Sequence, residues 1–303
     1  MIVADLTAAA LTRTLAGPGL RLRTGPVVTR IQSSLPTVAR GIALHYAEHP
    51  TVDEDVFADF HVRVGTPRNV RRWLRPQAHF FFDGWSPFTP LPLAQGFPML
   101  EWGLNWCVSA HCHQYLIIHA AVVERNGRAL VLPAPPGSGK STLCAGLVSR
   151  GWRLLSDELT LIDFEFGNVV PLPRPVSLKN ASIDAICGFA PDAIVGPPVH
   201  DTVKGSVAHM KPPATSVRRA SEPASPRWIV LPRFEKGVAD RLAPLSKARA
   251  FMQLADHAFN YSMHGSRGFE LLAQLVEACG CFELAYGDLD ASVRLLNGLA
   301  DDR

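Results

Sequence analysis

Residues 134–142 read Ala-Pro-Pro-Gly-Ser-Gly-Lys-Ser-Thr, and their types and spacing are those of a loop that binds phosphate. The stretch follows the G-x-x-x-x-G-K-[ST] pattern, with Ala134 where the first glycine usually stands. Gly137 and Gly139 let backbone N–H groups close around phosphate oxygens with no Cβ in the way. A helix opening at Ser141 adds free N–H donors and the positive end of its dipole. Lys140 is spaced to reach β- and γ-phosphates, and the Ser141 hydroxyl can ligate Mg²⁺. Ser138 and Thr142 complete the cradle. ATP and Mg²⁺ are the cofactors this chemistry calls for.

Titratable groups flank the loop on both sides. His119 lies in the apolar run Leu116–Val123 ahead of it, and Asp157 and Glu158 follow the short run Arg153–Leu155 behind it. Phosphoryl transfer needs charge neutralisation by a metal and a group that takes or orients the acceptor's proton. Two adjacent carboxylates can divide those tasks only where their environments differ. The plainer alternatives are a solvated turn for Asp157-Glu158 and a structural strand residue for His119. Lys179, Lys204, His209 and Lys211 could bind phosphate or hold a loop over it. Arg267 could reach the γ-phosphate as an arginine finger, or simply lead into a helix. His111-Cys112-His113 does not make a metal site, because neighbours on a helix do not share a face and no second ligand pair has zinc spacing. Cys279-Gly280-Cys281 is not a C-x-x-C motif. Trp102, Trp106 and Phe80–Phe82 read as core.

The surrounding elements must hold these groups in place. Ala129–Leu132 is a strand running into the loop, and Ser141–Arg150 a helix running out of it. Asn126-Gly127 is a hairpin signal, so the loop's strand is expected to pair antiparallel with the Leu116–Val123 strand before it. Gly167-Asn168 suggests a second hairpin between Leu159–Asp163 and Val169–Leu172. Upstream, Leu20–Arg23, Val27–Ile31 and Asp59–Val64 alternate as strands, and Leu35–Ala47 has helical spacing. Met99–His111, Ala248–Phe259, Gly268–Cys279 and Asp288–Leu299 are expected helices. Residues 196–226, rich in proline, serine and basic residues, are expected to form a mobile loop region. The chain divides into a small α+β N-terminal domain, 1–98, and a catalytic domain, 99–303.

The run from His119 to Asp163 resembles the catalytic domain of the HPr kinase/phosphorylase family. The likeness rests on a histidine on the strand before the loop, the Gly-Lys-Ser loop, and Arg150-Gly151-Trp152-Arg153-Leu154-Leu155-Ser156-Asp157-Glu158. Pro173–Asn180 and Val203–Pro213 resemble segments of its divergent HprK-related kinase branch. The resemblance implies an α/β fold: a P-loop kinase domain with a mixed sheet, like that of HPr kinase and phosphoenolpyruvate carboxykinase. It further implies that Asp157 is the acceptor's base, that His119 assists beside it, and that Glu158 holds metal or orients the acceptor.

Composition narrows the classes. The chain has 303 residues, 47% of them hydrophobic, with 30 Lys+Arg against 27 Asp+Glu. That near-balance gives no case for nucleic acid as a partner. Six cysteines in this length are too sparse for a disulfide framework, which fits reduced thiols and a cytoplasmic setting. No apolar run approaches a membrane span, and no signal peptide is evident. The expected activity is ATP-dependent transfer of a phosphoryl group to a hydroxyl, a serine of a peptide or small protein. A small-molecule kinase and a nucleotide-binding switch are the alternatives. Homo-oligomeric assembly is left open.

Overall fold

Alternating apolar residues build the N-terminal sheet. In the computed structural model, which describes residues 1–67 and 76–301, strands β1 (Leu20–Thr24), β2 (Val27–Ser33), β3 (Phe60–Gly65), β4 (Gln77–Phe82) and β5 (Leu91–Pro92) lie in that order. All neighbours pair antiparallel except β2 and β3, which are parallel. Helices Ala8–Ala16 and Pro36–His45 and the longer helix Gly96–His111 bury their apolar residues with this sheet. Gly103 makes one close approach possible: a Cβ there would lie 2.1 Å from the Phe80 ring. The same apolar cluster runs on through Leu100 and Leu104 to Ile117 and Leu161 beyond the helix.

The second half is built on a six-stranded mixed sheet in the order β16-β17-β15-β8-β7-β9. Its strands are β7 (Ala120–Arg125), β8 (Arg128–Pro133), β9 (Arg153–Ser156), β15 (Ser225–Phe234), β16 (Arg241–Pro244) and β17 (Gly280–Tyr286). β15 runs parallel to both β8 and β17, and the remaining pairs are antiparallel. β7 and β8 join through Asn126 (φ 54°) and Gly127 (φ 78°), a two-residue turn with both residues left-handed, so the expected hairpin is present. Successive residues of β7 and β8 point to opposite faces. Ala121, Val123, Leu130 and Leu132 pack with the helices Lys140–Ser149 and Leu289–Asp301. Ala120, Val122, Ala129 and Val131 pack with Lys247–His257 and Gly265–Ala278. The result is an α/β sandwich with helices on both faces of the sheet.

Two expectations need correction. The run Leu116–Val123 is not one strand: β6 (Tyr115–Ile118) joins a separate sheet, ordered β11-β10-β6, with β10 (Thr160–Asp163) and β11 (Val169–Val170). The break falls at His119, whose backbone N–H donates to the His257 carbonyl at 2.8 Å instead of to a ladder. Residues 196–226 are not a loop either. They supply β13 (Val199–Thr202) and β14 (Gly205–Met210), the helix Ala214–Arg218 and the start of β15. β14 lies between β13 and β12 (Val176–Lys179) in a third small sheet. Pro197, Pro198, Pro212, Pro213 and Pro223 fall in short connections, while Val207, Ala208 and Met210 supply the burial that orders the strand. Among the described residues no helix is long and apolar enough to cross a membrane.

Candidate functional site

The phosphate loop leaves β8 at Pro133 and enters the Lys140–Ser149 helix through Gly139. Gly137 and Gly139 both have φ of 87°, a region that side chains with a Cβ rarely occupy. The ends of two neighbouring strands fix the loop from outside. The Tyr286 hydroxyl donates to the Gly139 carbonyl at 2.8 Å, and the Phe234 N–H donates to the Ser138 carbonyl at 3.0 Å. A Cβ on Gly139 would stand 2.1 Å from the Tyr286 oxygen. Ala134, in the usual place of the first glycine, is itself buried.

Lys140 is buried, and its ammonium has no protein hydrogen-bond partner among the described residues. Burial holds its pKa below the usual lysine value, against the pull of Glu158 and Asp157. An orphaned buried ammonium is expensive for a fold to keep. Its position at the first turn of a helix, inside a glycine cradle, matches a cation waiting for an anionic ligand.

The two acids lie just past β9 in different surroundings. Asp157 is buried, and its Oδ2 accepts the Ser177 N–H at 3.0 Å. Burial, reinforced by Glu158, pushes the Asp157 carboxyl above its ordinary pKa. Glu158 behaves oppositely. Burial alone would raise its pKa, but the His119 hydrogen bond and the Lys179 and Lys140 charges outweigh it and hold the carboxyl well below the ordinary range. His119 Nε2 lies 3.1 Å from Glu158 Oε2, and Lys179 Nζ 3.4 Å from Glu158 Oε1. His119 was expected to accompany Asp157. Its imidazole lies within hydrogen-bond distance of Glu158 instead. The adjacent carboxylates therefore divide: the buried Asp157 has its pKa raised, while Glu158 is ion-paired and has its pKa lowered.

These groups meet at a cavity of about 900 Å³. Its walls include His119, Gly137, Ser138, Gly139, Lys140, Ser141, Thr142, Glu158 and Lys204. Asp157 does not line it; that side chain faces a second, small cavity behind the acid pair. Arg267 is not brought to either cavity: its guanidinium stacks 4.4 Å from the Phe164 ring. Lys211 pairs with Glu48 at 3.3 Å, also away from the loop. Lys204 Nζ lies 5.2 Å from the Trp102 ring, and burial, then the Lys179 charge, lowers its pKa. Trp102, expected in the core, lines the small cavity beside Asp157.

Lys179, a candidate phosphate ligand, lines the large cavity, and so do Ser177, Asn180, Phe189, Phe234, Tyr286 and Leu289, to which the sequence assigns no role. One signal was available for Phe234 and Tyr286. Ligands of open α/β sheets collect at the carboxyl ends of parallel strands, and both residues end strands in register with one another. Among the described residues no three His, Cys, Asp or Glu side chains gather as a metal site. Mg²⁺ bound with a nucleotide needs only one or two carboxylates, since phosphates and water supply the rest. The Ser141 hydroxyl and Glu158, both on the cavity wall, fit that modest requirement.

Residues 99–173 match the family model of SynChlorMet cassette protein ScmC. The chain is similar to that family from the Gly96–His111 helix through the phosphate loop and the acid pair to Pro173. No curated protein matches the chain.

Proposed function

We propose that the chain is an ATP-dependent, Mg²⁺-assisted kinase, an HPr kinase-like phosphotransferase whose acceptor is a hydroxyl, a serine of a peptide or small protein. The observation that carries the reading is Lys140, a buried ammonium without a protein partner among the described residues, in a left-handed glycine cradle that opens on the large cavity. Backbone N–H groups of the loop and Lys140 would hold the β- and γ-phosphates, with Lys179 and Lys204 facing them across the cavity. When bound, Mg²⁺ would supply neutralisation of charge on the transferred group, held by Ser141 and Glu158. At about 900 Å³ the cavity is at the upper end of ligand pockets. That volume accommodates a nucleotide together with one inserted side chain, which favours a peptide acceptor presented from outside.

The lining of the cavity supports His119, rather than Asp157, as the group that takes the proton. His119 lines the cavity and Asp157 does not. With Nε2–H donating to Glu158, the imidazole is fixed in one tautomer and its Nδ1 can accept the acceptor hydroxyl's proton. Asp157 then supports the pair from behind, through its bond to the Ser177 backbone N–H. The test is acceptor-dependent ADP formation with serine peptides and ATP·Mg²⁺. Phosphopeptide forming in step with ADP supports the reading. ADP release that no acceptor accelerates would move the chain to the class of nucleotide switches.

A further inference from the structure

The small cavity behind the acid pair has a volume of about 20 Å³. A buried water needs roughly 10–15 Å³ on this measure, so the space holds one water and not two. Three polar atoms on its wall are buried and have no protein partner among the described residues: Asp157 Oδ1, Ser177 Oγ and His209 Nε2. The backbone brings them together. Ser177 and His209 are direct cross-strand partners of β12 and β14, so their side chains project from the same face. Asp157 is tied to the same point, because its other oxygen accepts the Ser177 N–H. The remaining charged groups of the wall are already satisfied: Arg174 donates to Glu101 Oε2 and to Asn105 Oδ1, each at 2.8 Å.

We propose that this cavity is a binding site for a single water that joins Asp157, Ser177 and His209, and that His209 is thereby a positioning residue for the acid pair at the phosphate loop. The hydrogen-bond roles are complementary at the three atoms. The water donates one proton to Asp157 Oδ1 and the other to the lone pair of His209 Nε2, and it accepts the Ser177 hydroxyl proton. His209 can accept because it is neutral: burial and then the Arg174 charge push its pKa down to about 3. Its ring is held in place by edge contacts to Phe97, at 5.2 Å between centroids, and to His45, at 6.0 Å. The water and its partners stand on the geometry alone, whereas the positioning role rests on the kinase reading.

The test combines high-resolution crystal structures of the full chain and of Ser177→Ala, His209→Phe and His209→Gln with acceptor-phosphorylation kinetics of the same proteins. The expected result is one ordered water within hydrogen-bond distance of the three atoms in the parent. His209→Gln, whose amide oxygen can still accept, should keep that water, and His209→Phe should lose it. His209→Phe should lower kcat by about tenfold, the size of one lost hydrogen bond to a charged group, with the KM for ATP unchanged, and His209→Gln should restore kcat. Should His209→Phe fail to fold, Ser177→Ala against His209→Gln carries the same contrast. A dry cavity in the parent, a bound cation in place of water, or parent kcat in folded variants that have lost the water overturns the inference. A parent protein with the water but no phosphoryl transfer would leave the water site standing and remove the kinase reading.

Discussion

Lys140 is the residue on which the account depends most. Its ammonium is buried and has no protein partner among the described residues, and the other cavity lysines, Lys179 and Lys204, lie outside the loop and its helix. Lys140→Ala should weaken ATP·Mg²⁺ affinity by at least about tenfold, the value of one hydrogen bond to a charged group, and isothermal calorimetry checks this. The acid pair gives a second expectation. His119→Ala should leave nucleotide affinity near the parent value and lower transfer by about 10²–10⁴, the usual worth of a general base. Assays of ATP binding and phosphopeptide formation on one preparation separate the two quantities. If the change lowers melting temperature and leaves transfer intact, His119 is a structural residue at a strand break.

At the scale of elements, the loop's shape depends on the ends of β15 and β17. Tyr286→Phe removes the bond to the Gly139 carbonyl and should cost about 1 kcal/mol of stability, read by denaturant unfolding. Gly139→Ala should be far worse, since its φ of 87° disfavours any Cβ and the Tyr286 oxygen already fills that space. Much of the local architecture was legible in the sequence. Asn126-Gly127 announced a hairpin, and the alternation in β1 and β3 announced half-buried strands. The phosphate loop announced itself because its chemistry needs particular residues in contiguous order. What was not legible came from pairing between distant segments. Nothing in Leu116–Val123 says that His119 breaks the strand, because the cause is a backbone bond to His257. Ser177 became part of the site only when β12 paired with β14 and lay against the acids. Residues 196–226 misled because proline and serine content outweighed a short apolar strand pattern.

Across the whole molecule, the helices packed on the N-terminal sheet and the segment leading into β12 are joined by buried polar contacts. Arg174, on the approach to β12, is buried against Glu101, Asn105 and the Tyr46 hydroxyl. Glu101→Ala leaves that guanidinium buried and unpaired and should cost about 3–5 kcal/mol. The nearby His45 and His49 are also buried, and burial lowers the pKa of each to about 4. An unfolded histidine titrates near 6.5, so below that pH the unfolded chain binds protons that the folded chain refuses. Stability should therefore fall as pH drops from about 6.5 to about 4, by about 1.4 kcal/mol per pH unit for each histidine. A His45→Gln/His49→Gln variant should show a flatter decline in melting temperature over that window. The central claim is that the cavity at the phosphate loop binds a nucleoside triphosphate. The most direct measurement is calorimetry of ATP·Mg²⁺ against the parent chain and Lys140→Ala, with folding of both verified by melting temperature. The expected result is saturable one-to-one binding to the parent and loss of most of that affinity in a variant that remains folded. Equal affinity in the two proteins, or no binding to the folded parent, would contradict it.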